Sequence, residues 1–269
     1  MVIKTIPHNF SGLLIYIEGP DLSGKGTLAF LLADRLTSLG YTVRLTKEPQ
    51  EADKSIFGGT VRRIYQNKFP WDAINKLVKD ELFLHMEQLL GIRYQYVKEF
   101  QLLAQQILAY ETNESLCRRH SHDVLFFLQL GMLLDRLLHH RNVIIPEVRA
   151  GKIVISDRCW YSTFAYAKAT DIEWQYLAEA HNNCLEQEFI RPDRIFLLDV
   201  TLAQWRKRKK IRSGTEDIFE SEEFFKKIRT AYKDIAQFIA PVPVVIDTNH
   251  EPENALVQTM RSLQDILKQ

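Results

Sequence analysis

The sequence LLIYIEGPDLSGKGT, residues 13–27, begins with an apolar run and ends in a Gly-x4-Gly-Lys loop. Leucines then recur at helical spacing, at positions 28, 31, 32, 36 and 39. A strand, a glycine-rich loop and a helix in this order are the context of a phosphate-binding loop, because the loop amides and the helix N-terminus face the same anion. An ordinary glycine-rich turn is the alternative. The residues predicted to bind phosphate are Gly19, Pro20, Asp21, Leu22, Ser23, Gly24, Lys25, Gly26 and Thr27.

Composition limits the class of protein. With 269 residues, 46% of them hydrophobic, the chain can bury a full core as one domain, or as one domain with an insertion. A net charge of +1 argues against a protein that coats nucleic acid. Cys117, Cys159 and Cys184 are scattered without metal-ligand spacing, as is typical of reduced thiols. Residues 1–11 lack a signal-peptide layout, and no apolar run approaches membrane-spanning length. We expect a soluble cytoplasmic protein that binds neither nucleic acid nor membranes.

Four further segments are predicted to be strands, at residues 42–46, 153–156, 194–199 and 244–247. Helical patterns occur between and after them, at residues 123–140, 161–169, 222–240 and 253–267. Strands that alternate with helices form parallel sheets through right-handed crossovers. The predicted fold is therefore an α/β P-loop NTPase, with a five-stranded parallel sheet and helices on both faces.

Residues 70–120 carry apolar side chains three and four positions apart, with charges between them. We predict two helices there, hinged near Gly91, and we favour packing over chemistry as the role of the apolar stripe. The prediction is one domain, residues 1–269, with a helical insertion at 70–120. Because an apolar stripe has to be covered, we expect the insertion to form the interface of a homodimer.

Two pairs of charged residues stand out against apolar surroundings. Asp157 and Arg158 follow the predicted strand 153–156. An acidic residue at the end of a buried strand beside a phosphate loop is placed to hold Mg²⁺, directly or through water. A structural Asp–Arg pair that caps the next helix is the alternative. Asp135 and Arg136 lie within an apolar helix pattern, where charges tend to be paired or functional.

A basic run follows the predicted strand 194–199. It consists of Arg206, Lys207, Arg208, Lys209, Lys210 and Arg212. Alone, such a run is most often a solvated helix face. Because it follows a sheet strand in a chain with a phosphate loop, we predict that residues 206–220 form a mobile basic lid over the phosphates.

Several motifs resemble, in order and spacing, those of the thymidylate kinases, a family of nucleoside-monophosphate kinases. They are Ile17 to Thr27, Thr46-Lys47-Glu48-Pro49, Gly59 to Arg62, Leu134-Asp135-Arg136, Ile155 to Tyr166, Pro192-Asp193 and Leu198-Asp199-Val200, followed by the basic run. The resemblance covers residues 12–66 and 121–269, and it rests on the agreement in order rather than on any single motif. It implies an enzyme that uses ATP and Mg²⁺.

The resemblance implies a donor site and an acceptor site. Lys25 and the loop amides would bind the β- and γ-phosphates of ATP, and Thr27 and Asp157 would serve the metal. Asp21 would lie near the sugar of the acceptor nucleotide. The full set of residues implied for the acceptor is Asp21, Glu48, Arg62, Met132, Arg136, Arg158, Thr163 and Tyr166.

Each acceptor residue has a chemical role by this resemblance. Arg158 and Arg62 would grip the acceptor phosphate, because a planar guanidinium binds two oxygens at once. Arg136 would reach the edge of the base, and Thr163 would face the pyrimidine. Tyr166 would press on the sugar and disfavour a ribose 2′-hydroxyl.

Four features of the sequence depart from the family pattern. Met132 stands where many members have an aromatic residue stacked on thymine. Gly26 replaces Ser or Thr, so Thr27 or water has to help with Mg²⁺. The predicted lid has Asp217-Ile218-Phe219-Glu220 in place of Asp-Arg-x-Glu, and residues 70–120 exceed the usual length.

Phosphoryl transfer requires two phosphates held in line and a neutralised transition state, rather than covalent help from the protein. The loop contains no arginine, so we expect the lid to supply the transition-state cation. The predicted catalytic residues are Lys25, Asp157, Arg158, Arg208 and Arg212. No general base is required, since a monophosphate acceptor is already an anion.

The leading hypothesis is transfer of the γ-phosphate of Mg-ATP to a deoxypyrimidine monophosphate, with dTMP as the first choice. A kinase for another nucleotide or nucleoside is the alternative that Met132 suggests. An inactive nucleotide-binding protein, whose inserted helices recruit a partner, is the alternative from another class. The aspartate and arginine at 157–158 and the basic run argue against it, since a binder needs neither.

Overall fold

The computed structural model describes residues 3–50, 102, 129, 131–133, 135–185, 189–212 and 219–267. The strands are β1 (Leu13–Glu18), β2 (Val43–Lys47), β3 (Ile153–Asp157), β4 (Arg194–Asp199) and β5 (Val244–Asp247). The helices are α1 (Lys25–Ser38), α2 (Ile145–Arg149), α3 (Trp160–Ala169), α4 (Trp174–Leu185), α5 (Leu202–Ile211), α6 (Glu222–Ala236) and α7 (Pro252–Leu263). Residues 129, 131–133 and 135–139 are also helical, and we call them the Arg136 segment.

The five strands form one parallel sheet in the order β2-β3-β1-β4-β5. β1 is the central strand, so the phosphate loop leaves the middle of the sheet. Asp157, the last residue of β3, pairs with Ile17 on β1 and with Lys47 on β2. The carboxyl ends of these three strands therefore lie at one edge. The predicted five-stranded parallel sheet is confirmed.

Helices cover both faces of the sheet because alternate strand residues point to opposite sides. On one face, Ile15 and Ile155 pack in a buried cluster with Leu32 of α1. On the other face, Tyr16 packs in a second buried cluster with Trp160 of α3. Each fully buried side chain of this size contributes roughly 1.5–3 kcal/mol to folding. The prediction of helices on both faces is confirmed.

Several helix ends differ from the predicted bounds. The pattern at 123–140 does not simply stop: the Arg136 segment runs into a π-helical turn, His140–Ile144, and then into α2. Pro146 has no N–H to donate to Asn142, which explains why regular α-helical bonding breaks down here. α6 ends at Ala236, where turns at Phe238 and Ile239 replace the helix. α7 begins at Pro252, a residue whose fixed φ suits the first helical position.

Some predictions concern residues outside the described part. Arg62, the 70–120 insertion apart from Leu102, and residues 213–218 of the predicted lid all lie there. The single-domain organisation stays a prediction. None of the helices in the described ranges is both long enough and apolar enough to cross a membrane.

Candidate active site

The phosphate loop has the backbone that its glycines predict. Gly24 adopts a left-handed conformation, φ 97°, at the N-cap of α1. Gly19, at φ 143°, lies so close to β4 that a Cβ there would come within 2.9 Å of the Leu198 carbonyl oxygen. The buried Ser23 hydroxyl has no hydrogen-bond partner among the described residues. The loop therefore curls tightly between β1 and α1 and leaves a polar atom for a ligand to satisfy.

Lys25 is buried and bonds to its own loop. Its Nζ donates to the Pro20 carbonyl at 2.8 Å and to the Gly19 carbonyl at 3.0 Å. The nearest described carboxylate oxygen, on Asp21, is 3.9 Å away. Burial, followed by repulsion from Arg158, lowers the pKa of Lys25 to about 8, against the opposing effect of Asp21. An ammonium held in this way gains by contact with a phosphate anion.

Asp21, Arg158 and Tyr166 form a cluster above the loop. Asp21 Oδ1 pairs with Arg158 Nη2, and Oδ2 accepts a hydrogen bond from the Tyr166 hydroxyl at 2.6 Å. Arg158 also donates to the Tyr166 oxygen at 3.3 Å and to Ser162 Oγ at 3.1 Å. The Arg158 backbone has φ 76°, which is uncommon for a large side chain and typical of functional positions.

Electrostatics favour the charged forms of Asp21 and Arg158. Burial alone would raise the pKa of the Asp21 carboxyl, but Arg158, Lys25 and the hydrogen bond from Tyr166 outweigh it and lower the pKa to about 2. Burial likewise opposes the charge on Arg158, yet the neighbouring Tyr166 and Asp21 hold its pKa well above the ordinary value. Asp21 therefore stays anionic and Arg158 cationic at neutral pH.

Asp157 fits the role of a magnesium ligand. Its Oδ1 is buried without a hydrogen-bond partner in the described part of the chain, and its Oδ2 is 3.8 Å from where a Cβ on Gly26 would be. Thr27 is exposed in the first turn of α1. No cluster of three or more His, Cys, Asp or Glu suited to a metal exists among the described residues. This donor set suits Mg²⁺, which proteins commonly hold through one or two carboxylates, nucleotide phosphates and water.

Arg136 is the centre of a second polar cluster, and it is fully buried. Its Nε donates to Glu48 Oε2 at 2.7 Å, and its Nη2 donates to Thr163 Oγ1 at 3.1 Å. Its Nη1 is buried with no partner in the described ranges. Met132 is buried in the same segment. The expectation that a charge within this apolar helix is paired or functional is confirmed for the pairing.

The strand end beside this cluster is tied to the same helix. The backbone N–H of Gln50 donates to Asp135 Oδ2 at 3.0 Å, and the Gln50 side chain also reaches Asp135. Burial alone would raise the pKa of Glu48, but Arg136 and a hydrogen bond from His139 outweigh it and lower that pKa. The segment after β2 is therefore fixed to the Arg136 segment at more than one point.

Sequence reasoning missed Glu18. This buried carboxylate accepts hydrogen bonds from the Cys159 and Ser162 backbone N–H groups at 2.7 and 3.1 Å. It also accepts bonds from the hydroxyls of Ser162 at 2.7 Å and Tyr232 at 2.9 Å. Glu18 thus ties β1 to the start of α3 and orients the backbone next to Arg158. The available signal was an acidic residue ending a buried strand, as at Asp157.

The basic run lies on α5 and at its C-cap. α5 contacts the loop through apolar and polar groups, since Leu22 of the loop packs against the buried cluster that contains Trp205. Arg208 donates to the Leu22 carbonyl at 3.0 Å and to the Thr248 carbonyl at 2.5 Å. Arg212 pairs with Glu220, and its charge helps to lower the pKa of Asp21. The solvated-face alternative therefore describes residues such as Lys207 and Lys210, which are exposed. Closure as a lid stays a prediction.

A cavity of about 310 Å³ adjoins the loop on the α5 side. Its lining includes Gly24, Thr27, Arg208, Thr248 and His250. A space of this size beside a phosphate loop could take part of a nucleotide, and its walls combine polar groups with apolar residues of α1 and α7.

The predicted residues thus fall into two groups at one edge of the sheet. The first group, around the loop, contains Asp21, Lys25, Asp157, Arg158, Tyr166, Arg208 and Arg212. The second contains Glu48, Met132, Arg136 and Thr163. α3 joins the groups, since it carries Thr163 in one and Tyr166 in the other.

Comparison with known proteins gives a consistent family. Residues 98–259, which are 162 of the 269 residues, match the thymidylate kinase family model. A protein named "Probable thymidylate kinase" from Thermococcus kodakarensis is 27% identical over 256 residues, covering 92% of this chain and 98% of its own. The thymidylate kinase of a Sulfurihydrogenibium species is 28% identical over 261 residues, covering 96% and 98%. The crystal structure of thymidylate kinase from Ehrlichia chaffeensis, 22% identical, covers 94% of this chain and 99% of its own with a TM-score of 0.54, and this likeness concerns the fold. The chain belongs to the thymidylate kinase family.

Proposed function

We propose that this protein transfers the γ-phosphate of ATP to dTMP and forms dTDP. The observation that carries the proposal is the contact between Asp21 of the phosphate loop and Arg158 beside it. It joins a loop suited to donor phosphates to an arginine suited to an acceptor phosphate. The names of the relatives support dTMP as the acceptor.

On the donor side, the loop amides and Lys25 bind the β- and γ-phosphates of ATP. Lys25 exchanges its carbonyl partners for phosphate oxygens, which restores favourable surroundings to a buried cation. Asp157 and Thr27 would hold Mg²⁺ together with the nucleotide, and the metal would neutralise phosphate charge when it is bound. The neighbouring cavity, lined by Arg208 and Thr248, takes part of the donor nucleotide.

On the acceptor side, Arg158 and Arg62 bind the phosphate of dTMP. Asp21 and Tyr166 position the sugar, and their mutual hydrogen bond fixes both side chains. The acceptor base lies against Met132, with Arg136 and Thr163 at its edge. The unpartnered Nη1 of Arg136 is the donor group for a carbonyl oxygen of the base.

The transition-state cation comes from the predicted lid, with Arg208 and Arg212 as the candidates. Arg212 is held by one carboxylate and acts electrostatically on Asp21, whereas Arg208 is bound to two carbonyls on the donor side. A cation near Asp21 is better placed to neutralise charge between the two phosphates. Closure of residues 206–220 over the nucleotides would exclude the water that otherwise hydrolyses ATP.

We further propose that the protein is a cytoplasmic homodimer whose interface includes residues 70–120. The apolar stripe in the sequence of that insertion supports this proposal. Deleting residues 72–118 and measuring the mass in solution tests it. A shift from dimer to monomer supports the interface, and an unchanged oligomeric state rules it out.

An acceptor panel tests the proposed reaction. Coupled ADP release is measured with dTMP, dUMP, UMP, dCMP and thymidine. We expect the highest kcat/KM for dTMP. If another compound in the panel is the better acceptor, the result supports the alternative that Met132 suggests, a kinase for another nucleotide or nucleoside. Tight ATP binding without turnover of any monophosphate would favour the inactive binding protein.

A further inference from the structure

His139 is a buried histidine for which the sequence analysis predicted no role. It lies one helical turn after Arg136 in the Arg136 segment and has no exposed surface. Its Nε2 is 2.6 Å from Thr46 Oγ1, and its Nδ1 is 3.4 Å from Glu48 Oε1. The ring therefore bridges the end of β2 to the helix that carries Arg136.

The chemistry of Glu48 fixes the direction of these hydrogen bonds. A carboxylate oxygen only accepts, so His139 donates from Nδ1 to Glu48. In the neutral ring Nε2 then accepts from the Thr46 hydroxyl. Thr46, His139 and Glu48 form a chain of hydrogen bonds that ends on Arg136, whose Nε donates to the other oxygen of Glu48 at 2.7 Å.

This chain determines where Arg136 points. Glu48 holds the Nε of Arg136, and Thr163 holds its Nη2. Because a guanidinium is planar and rigid, two fixed nitrogens also fix the direction of the third. That third nitrogen, Nη1, is the buried donor without a partner among the described residues. A carboxylate free to rotate at Glu48 would release this geometry.

We infer that His139 is a positioning residue for acceptor recognition, which holds Glu48 so that Arg136 presents Nη1 to the acceptor base. The inference rests on the proposed function, since it needs an acceptor nucleotide at Arg136. A second contact between the same elements, Gln50 to Asp135, keeps the strand end and the helix together when the His139 contact is removed.

Substitutions at His139 separate this role from simple packing. In His139→Asn, the amide nitrogen can occupy the place of Nδ1 and keep the bond to Glu48. In His139→Gln, the longer side chain reaches the place of Nε2 and loses that bond. We expect the acceptor KM for dTMP to rise about ten- to a hundredfold in His139→Gln, as for a lost bond to a charged group. We expect a change of less than about threefold in His139→Asn, with the KM for ATP nearly unchanged in both.

His140→Asn is the matched control. His140 is equally buried, but its Nε2 is 2.8 Å from the Tyr16 hydroxyl. Its ring packs against the ring of Phe189, with the two ring centroids 4.1 Å apart. We expect this variant to lower the thermal midpoint while the KM for dTMP stays within about twofold of wild type. A double variant, Glu48→Gln with His139→Gln, should have the same acceptor KM as Glu48→Gln alone, because both substitutions act on one contact.

The results separate two kinds of failure. A wild-type enzyme active on dTMP, with an unchanged acceptor KM in His139→Gln, overturns the inference alone. Equal rises in the KM for dTMP and for ATP, or additive effects in the double variant, also overturn it, because they indicate general damage. A wild-type chain that neither binds nor phosphorylates dTMP contradicts the proposed function, and the inference falls with it.

Discussion

At the scale of single residues, the site combines charges that the fold stabilises with charges that it leaves in need of a ligand. Asp21 and Arg158 stabilise each other, as the lowered pKa of Asp21 shows. Lys25 is the opposite case, because burial and the nearby Arg158 lower its pKa to about 8. Nucleotide phosphates would supply an anionic partner for the Lys25 ammonium.

The lowered pKa of Lys25 predicts how the stability of the nucleotide-free protein depends on pH. Its pKa is about 8 in the folded protein and 10.5 ordinarily, so between these values the unfolded chain binds more protons. The free energy of unfolding should therefore rise with pH in this window, by up to about 3 kcal/mol from this residue. Urea unfolding at pH 7.5 and pH 10 measures the rise, which should be smaller by this amount in Lys25→Met.

Lys168→Met is the control for that measurement. Lys168 is partly exposed and pairs with Asp234 on the surface, so its removal should leave the pH dependence close to wild type. An equal rise of the unfolding free energy in wild type and in Lys25→Met would show that folding does not lower the pKa of Lys25.

Arg158→Lys tests the value of the guanidinium fork. A lysine keeps the charge but cannot hold Asp21 and two phosphate oxygens together. We expect kcat/KM for dTMP to fall about a hundredfold or more, with the KM for ATP within about threefold of wild type. Steady-state kinetics at saturating ATP measures the fall. Activity close to wild type in Arg158→Lys would show that Arg158 contributes only a point charge.

Candidate site residues could be identified from the sequence where a charge stood out from its neighbours. Arg136 in an apolar helix and Asp157 at a strand end were both detectable in this way, and the structure pairs Arg136 with Glu48. His139 was not, because a histidine in an apolar helix usually fills a core. Its role depends on Glu48, which lies 91 residues away in the chain. A local sequence pattern does not reveal a contact between residues so far apart in the chain.

At the scale of elements, α5 links the phosphate loop to the segment that precedes α6. Its side chains reach across to the returning segment: Arg206 bonds to Glu222 at 2.5 and 2.6 Å, and Lys209 bonds to the Glu220 carbonyl at 2.6 Å. Phe219 on that segment packs against Tyr166, with ring centroids 5.2 Å apart. A shift of α5 would therefore change the packing of Phe219 against Tyr166, the residue proposed to position the acceptor sugar.

Two arginines of this basic run should differ sharply when replaced by alanine. Arg212→Ala should lower kcat by roughly 10²- to 10³-fold if it supplies the transition-state cation. Arg206→Ala removes an exposed pair with Glu222 and should change kcat by less than about twofold. Rapid-quench measurement of the transfer step compares the variants. A large fall in Arg208→Ala and none in Arg212→Ala would assign the role to Arg208.

Element types were largely predictable, and their ends were less so. Four of the five strands come from largely apolar runs, because buried parallel strands leave a continuous apolar pattern. β2 lies at the edge of the sheet, has no buried residue and carries Arg44 and Lys47. The π-helical turn at His140–Ile144 had no such signal. Pro146 removes one N–H donor from this turn, and His139 and His140 bond to Thr46 and Tyr16, contacts that a local sequence periodicity does not reveal.

At the scale of the whole molecule, the sheet order brings the two halves of the site together. β3 lies between β1 and β2 although it follows β2 by more than a hundred residues. This places Asp157 and Arg158 between the phosphate loop, which follows β1, and Glu48, which follows β2. α3, directly after β3, then contributes side chains to both groups. The sequence pattern predicts the strands but not which of them are neighbours, because that order is set by long-range packing.

The most direct test of a kinase that joins a donor and an acceptor site is transfer of labelled phosphate from [γ-³²P]ATP to dTMP. Purified full-length protein, Mg²⁺ and both nucleotides are incubated, and the products are separated by chromatography. We predict that the label appears in dTDP and that Lys25→Met and Arg158→Lys reduce its transfer. Label that appears only as inorganic phosphate, or that stays in ATP at every dTMP concentration, would contradict the proposed reaction.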